Sequence, residues 1–135
     1  MPLSFLLIGI AMKELASMVG PEKAAGMAGM IQTAIAKDEA RFVAAGLKYE
    51  LMSVEAGAGM EPLEAKLKEN KFDGVCIGFG LRSTPAFTPL FERLVNTVHT
   101  ASPSSKLLFN VAPDNSLDAA KRWFPEIENE AGAEA

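Results

Sequence analysis

Residues 72–82, FDGVCIGFGLR, combine an apolar strand pattern with two glycines and an arginine. The apolar run breaks at Gly78 and Gly80, and Arg82 stands just before an amphipathic helix. Glycines let a backbone approach a ligand closely, and a guanidinium can hold a carboxylate or phosphate through two hydrogen bonds. We therefore predict a ligand site formed by these three residues. The alternative is that the glycines only relieve crowding against the helix and that Arg82 is solvated.

Two more polar side chains are predicted at the same edge of the fold. Glu55 follows the second predicted strand, and Asn110 ends the fourth. We expect Arg82 to hold a small anionic or carbonyl-bearing ligand, and Glu55 or Asn110 to transfer protons or orient that ligand if the protein is an enzyme. Each also has a structural interpretation: Glu55 as an exposed loop carboxylate, and Asn110 as an amide bonded to nearby backbone. Asn115 or Ser116 is predicted to cap the last helix, and Asp114 is expected to belong to the same cap.

A polar row on the best-defined helix suggests a second function. Glu92, Asn96 and His99 recur at spacings of four and three, which places them on one flank of that helix. His99 lies ~18 Å along the helix from Phe87, at a rise of 1.5 Å per residue. Because Arg82 precedes the helix, His99 is remote from it. We expect this row to form an interface, and the alternative function is therefore a non-catalytic homodimeric interaction module.

Strand-like and helical segments alternate along the chain, which predicts how these residues are positioned. The predicted strands lie at residues 4–11, 48–54, from 72, and 106–111. Right-handed crossovers between them give an α/β fold: a three-layer, open, parallel four-stranded sheet in the order 2-1-3-4, flavodoxin-like, with helices on both faces. The loops after the strands then share one crevice.

The longest predicted helix runs from residue 21 to residue 45, with Gly46 as a left-handed stop. Its apolar stripe is interrupted at Asp38. Gly26 on this helix either weakens it or allows a neighbouring element to approach closely. The methionines in and before this helix, Met18, Met27 and Met30, are interpreted as core filler.

The composition limits the partners that we expect. The 135 residues carry a net charge of −4 with scattered Lys and Arg, so nucleic acid is not an expected partner. No apolar run approaches the ~20 residues of a membrane span, and we expect no membrane association. The chain has a single cysteine, Cys76, which we interpret as an inert buried residue. Such low cysteine content favours a location in the reducing cytosol.

We predict no metal and no redox cofactor. We also predict one domain over residues 1–125 and a flexible acidic tail over 126–135.

The motifs GFGLR, LFERLVNTVH, FNVAPD and RW together resemble a pattern in short single-domain α/β proteins classed as hypothetical proteins. The resemblance covers residues 72–123. It implies a stand-alone α/β domain, and it implies no activity, cofactor or catalytic residue.

Overall fold

A computed structural model describes residues 2–127 of the chain. The strands are β1 (Ser4–Ile10), β2 (Lys48–Val54), β3 (Gly74–Ile77) and β4 (Lys106–Phe109). The helices are α1 (Leu15–Val19), α2 (Pro21–Ala44), α3 (Glu61–Glu69), α4 (Gly80–Ser83), α5 (Thr88–Ala101) and α6 (Ser116–Trp123). Short 3-10 turns occupy Met12–Glu14 and Pro85–Phe87.

The sheet confirms the predicted topology. Its four strands are all parallel and lie in the order β2-β1-β3-β4. One apolar cluster packs α3 and α5 on the first face of the sheet, and another packs α2 and α6 on the second. The fold is therefore a three-layer α/β sandwich, and the carboxyl ends of the strands meet at one edge.

The burial of β1 explains its unbroken run of apolar residues. Leu6 and Ile8 belong to the cluster under α3 and α5, whereas Phe5 and Leu7 belong to the cluster under α2 and α6. All four side chains are buried. A central strand covered on both faces needs apolar residues at every position, so its sequence shows no alternation.

Several predicted boundaries need correction. The third strand begins at Gly74 and not at Phe72, and the fourth ends at Phe109 and not at Val111. The left-handed stop is confirmed, because Gly46 has a φ of 75° just after α2. Ile127 is 1% exposed and lies in the cluster under α2 and α6, so the packed part reaches this residue. The rest of the predicted tail, residues 128–135, lies outside the described residues.

Nowhere in residues 2–127 does a helix combine the length and the hydropathy that a bilayer crossing requires.

Candidate functional site

A cavity of about 420 Å³ lies at the carboxyl edge of the sheet, between the strands and α2. We name it the carboxyl-edge cavity. Its lining is mainly apolar, with Leu7 and Leu51 from the sheet and Ile31 and Ile35 from α2. Its volume falls within the range of roughly 300–1,000 Å³ that is typical of small-molecule sites. Its position is the edge at which open parallel sheets usually bind ligands.

The carboxyl-edge cavity exists because this face of the sheet loses its bulky side chains near the edge. Gly9 of β1 pairs with Ser53 of β2, and Gly78 follows β3 directly. Two residues earlier on each strand, the same face carries Leu7 opposite Leu51. A Cβ atom placed on Gly9 would meet no described heavy atom within 4 Å, apart from its chain neighbours. The small residues therefore leave a space that α2 covers and does not fill.

Three methionines contribute to the lining of the carboxyl-edge cavity. Met12 and Met18 come from the segment after β1, and Met27 comes from the amino-terminal half of α2. Met30, one turn further along, is 74% exposed. The interpretation as core filler was therefore wrong for Met27 and Met30, which are exposed, whereas Met18 is half-buried. Flexible thioether side chains suit a cavity wall that adjusts to its occupant.

Asp38 is an acidic residue in the lining of the carboxyl-edge cavity. This α2 residue is only 3% exposed, and no other ionisable side chain in residues 2–127 lines the cavity. Its Oδ1 accepts hydrogen bonds from the backbone N–H groups of Ser116 at 3.1 Å and Leu117 at 3.4 Å. Burial raises the pKa of the Asp38 carboxyl above its usual value, although a hydrogen bond with the Ser116 side chain and these two backbone hydrogen bonds partly oppose the shift.

The same contacts correct the predicted cap of the last helix. The first N–H groups of α6 bond to Asp38, which is remote in sequence, and not to Asp114. Asp114 is exposed, and its backbone oxygen accepts a hydrogen bond from Arg41. Asn115 accepts hydrogen bonds from the N–H groups before it, so it stabilises the preceding turn.

Asn110 also lines the carboxyl-edge cavity, and its amide joins two elements. The Oδ1 atom accepts a hydrogen bond from the N–H of Phe79 at 2.8 Å, and Nδ2 donates to Ser116 Oγ at 3.0 Å. The side chain is 8% exposed. These contacts support the structural interpretation of Asn110, because they tie the segment after β3 to the start of α6.

The predicted glycines both line the carboxyl-edge cavity, and both lie close to β1. A Cβ atom on Gly78 would lie 3.1 Å from the backbone oxygen of Ile8, which cannot move aside easily. A Cβ atom on Gly80 would lie 3.3 Å from Ile10 Cγ2, a side-chain atom that a small shift could move away. Crowding against the first strand thus accounts for glycine at position 78 and only weakly for glycine at position 80.

Arg82 and Glu55 lie outside the lining of the cavity. Arg82 Nη2 donates to the backbone oxygen of Asn110 at 2.9 Å, and the guanidinium carbon lies 4.8 Å from the centre of the Phe79 ring. Glu55 forms an ion pair of 2.7 Å with Lys13, and both side chains are largely exposed. The structure therefore brings Gly78, Gly80 and Asn110 together and leaves the predicted anion clamp and carboxylate at the surface.

The predicted interface row lies in a different layer. Glu92, Asn96 and His99 are exposed on α5, and Asn96 Nδ2 donates to the backbone oxygen of Glu92 at 2.9 Å. Because α5 returns antiparallel to β3, His99 in its last turn lies towards the amino edge of the sheet. It shares no site with Arg82.

Cys76 behaves as the sequence predicts. It is 1% exposed within β3, and burial raises the pKa of its thiol to about 11. Since the thiolate is the reactive form, this thiol is inert near neutral pH. No cluster of three potential metal-ligating side chains occurs among residues 2–127.

Fold and site together define a class: an open-sheet α/β protein with an apolar cavity at the carboxyl edge. No protein-family model matches this chain, and no curated protein matches it in sequence.

Proposed function

We propose that the protein binds a small molecule with a largely apolar body in the carboxyl-edge cavity. The observation that carries this proposal is a mainly apolar space of about 420 Å³ with a few polar groups at one end. Three of those groups, Asp38, Asn110 and Ser116, are linked by hydrogen bonds. A mostly apolar lining with few converging polar groups is the usual composition of a small-molecule site.

The lining narrows the ligand chemistry expected from the sequence. An anionic group inside the cavity would lose its hydration and lie near the Asp38 carboxylate, both of which are unfavourable. A carbonyl-bearing ligand would find hydroxyl donors at Ser53 and Ser83, which also line the cavity. We therefore propose an apolar ligand whose polar group is not an anion.

The proposal is one of binding, and it assigns no catalytic step. Arg82 and Glu55, two of the three residues predicted for catalysis, contact protein groups outside the lining. Asn110, the third, lines the cavity with its amide already bonded to Phe79 and Ser116. The acidic composition and the single cysteine support a location in the cytosol as part of this proposal.

A thermal-shift screen of small apolar molecules tests the proposal. A ligand that binds only the folded chain adds about 2.7 kcal/mol to its stability at a hundred times its Kd, so hits should raise Tm clearly. The effect of each hit should disappear when a side chain at position 9 fills the cavity. A screen without hits, or hits that are unaffected by filling, would contradict the proposal.

A homodimeric interaction module is the second candidate, supported by the exposure of Glu92, Asn96 and His99 along one flank of α5. We expect the wild-type chain to sediment as a dimer, and the double variant Asn96→Asp, His99→Glu to sediment as a monomer because it adds like charges beside Glu92. Analytical ultracentrifugation measures both. A monomeric wild type, or a double variant that dimerises normally, would exclude this candidate.

A further inference from the structure

Asp38 has no cationic side chain bonded to it within residues 2–127. The nearest candidate on its helix is Arg41, which pairs with Asp118 at 2.8 Å and donates to the backbone oxygen of Asp114. Asp38 is therefore stabilised by the backbone N–H groups of Ser116 and Leu117 and by the Ser116 side chain, while Arg41 acts on it only at a distance. A buried carboxylate without a directly bonded countercharge is costly in an apolar environment, and a bound cation would offset that cost.

The hydrogen bonds of Asp38 leave acceptor capacity at the cavity. Oδ1 accepts hydrogen bonds from the backbone N–H groups of Ser116 and Leu117. From the backbone, Oδ2 accepts only a second, longer hydrogen bond from the same Ser116 N–H, at 3.3 Å. A carboxylate offers about four acceptor positions in all. Ser116, which also lines the cavity, accepts one hydrogen bond from Asn110 Nδ2 at its hydroxyl oxygen, and that oxygen has a second lone pair.

We propose that the ligand of the carboxyl-edge cavity is an apolar amine whose ammonium group pairs with Asp38. This inference rests on the proposed binding function and specifies its ligand class. The ammonium donates hydrogen bonds to Asp38 Oδ2 and Ser116 Oγ, and the hydrocarbon body lies against Leu7, Ile31 and Ile35. The pairing is strong because both charges are removed from water. A carboxylate of the same length is rejected because it places two negative charges together.

A matched series of probes tests the ligand class by calorimetry on the full chain at neutral pH. Octylamine, octanol and octanoate share one hydrocarbon body and differ only in the polar group. We expect octylamine to bind at least ten-fold more tightly than octanoate, with octanol between them. The comparison uses the wild-type chain, so it does not depend on the folding of any variant.

Variants then assign the preference to one residue. Asp38→Asn should bring the affinities of octylamine and octanoate to within about three-fold of each other, whereas Lys37→Ala, an exposed change on the same helix, should keep the wild-type preference. Gly9→Phe should remove the binding of every probe, which excludes attraction of the amine to the acidic surface.

The outcomes separate this inference from the proposed function. Octanoate binding as tightly as octylamine, a preference that survives Asp38→Asn, or the absence of binding by any octyl probe would overturn the amine assignment. Cavity binding itself is overturned if the screen yields no ligand, or if ligands found by screening keep their affinity for Gly9→Phe.

Discussion

We expect the Gly9→Phe variant to lose ligand binding. Its free energy of unfolding should be about 1 kcal/mol higher than that of the wild type, because filling a cavity commonly stabilises a protein. Gly9 lies in the carboxyl-edge cavity, and a Cβ atom there meets no described heavy atom within 4 Å. Its φ is not in the left-handed region, which is occupied by Gly20 and Gly46. A phenyl ring therefore enters the cavity without straining β1 and occupies the space that the ligand needs.

Urea denaturation and calorimetry with a screened ligand measure these two effects. Gly26→Ala is the matched control, because Gly26 is exposed on α2, does not line the cavity and has space for a Cβ atom. Alanine in a helix interior should raise the free energy of unfolding by ~1 kcal/mol while leaving the affinity unchanged. Wild-type affinity in Gly9→Phe would show that the ligand binds elsewhere.

The Asp38→Ala variant is expected to lose about 2 kcal/mol of stability, because it leaves buried donors without an acceptor. The N–H groups of Ser116 and Leu117 both bond to the Asp38 carboxylate. Asp38→Asn keeps an acceptor oxygen and should lose less than about 1 kcal/mol. Lys37→Ala, the exposed neighbour, should change stability by less than about 0.5 kcal/mol. Urea midpoints compare the variants, and a wild-type midpoint for Asp38→Ala would contradict the capping role.

The stability of the wild type relative to Asp38→Asn should also depend on pH. Burial raises the pKa of Asp38 above its ordinary value of 3.8, so the folded chain holds this proton more tightly than the unfolded chain. The resulting stabilisation is complete below the ordinary pKa and is lost as pH rises through the folded-state pKa. The advantage of the wild type over Asp38→Asn should thus decrease from acidic to neutral pH. A difference that does not change with pH would indicate that Asp38 titrates normally.

The strand order could be predicted because it follows from alternating segments and the handedness of crossovers, both visible in one sequence. The location of the cavity followed as well, since the carboxyl ends of parallel strands converge. Gly78, Gly80 and Asn110 accordingly line one site.

The orientation of Arg82 could not be predicted, because it depends on where a short helix begins. α4 begins at Gly80, and a helix turns about 100° per residue, which rotates residue 82 by ~200° relative to residue 80. Gly80 and Ser83 therefore line the cavity, whereas Arg82 contacts the backbone of Asn110.

The role of Asp38 could not be predicted either. In the sequence it is an interruption of the apolar stripe, and the N–H groups that it caps are 78 and 79 residues away. One signal was present in the sequence. Gly9, Ser53 and Gly78 are small residues near the ends of three predicted strands, and together they indicate missing bulk at that edge.

The burial of α2 is uneven along its length. Its buried residues, Asp38 and Phe42, lie in the carboxyl-terminal half, whereas Met27 and Ile31 of the amino-terminal half line the cavity without being fully buried. Mutations in the amino-terminal half can thus change the size and shape of accepted molecules at little thermodynamic cost. The fold is therefore suited to changes in specificity, since substitutions in that half can alter which ligands bind while the packing of the helix is kept.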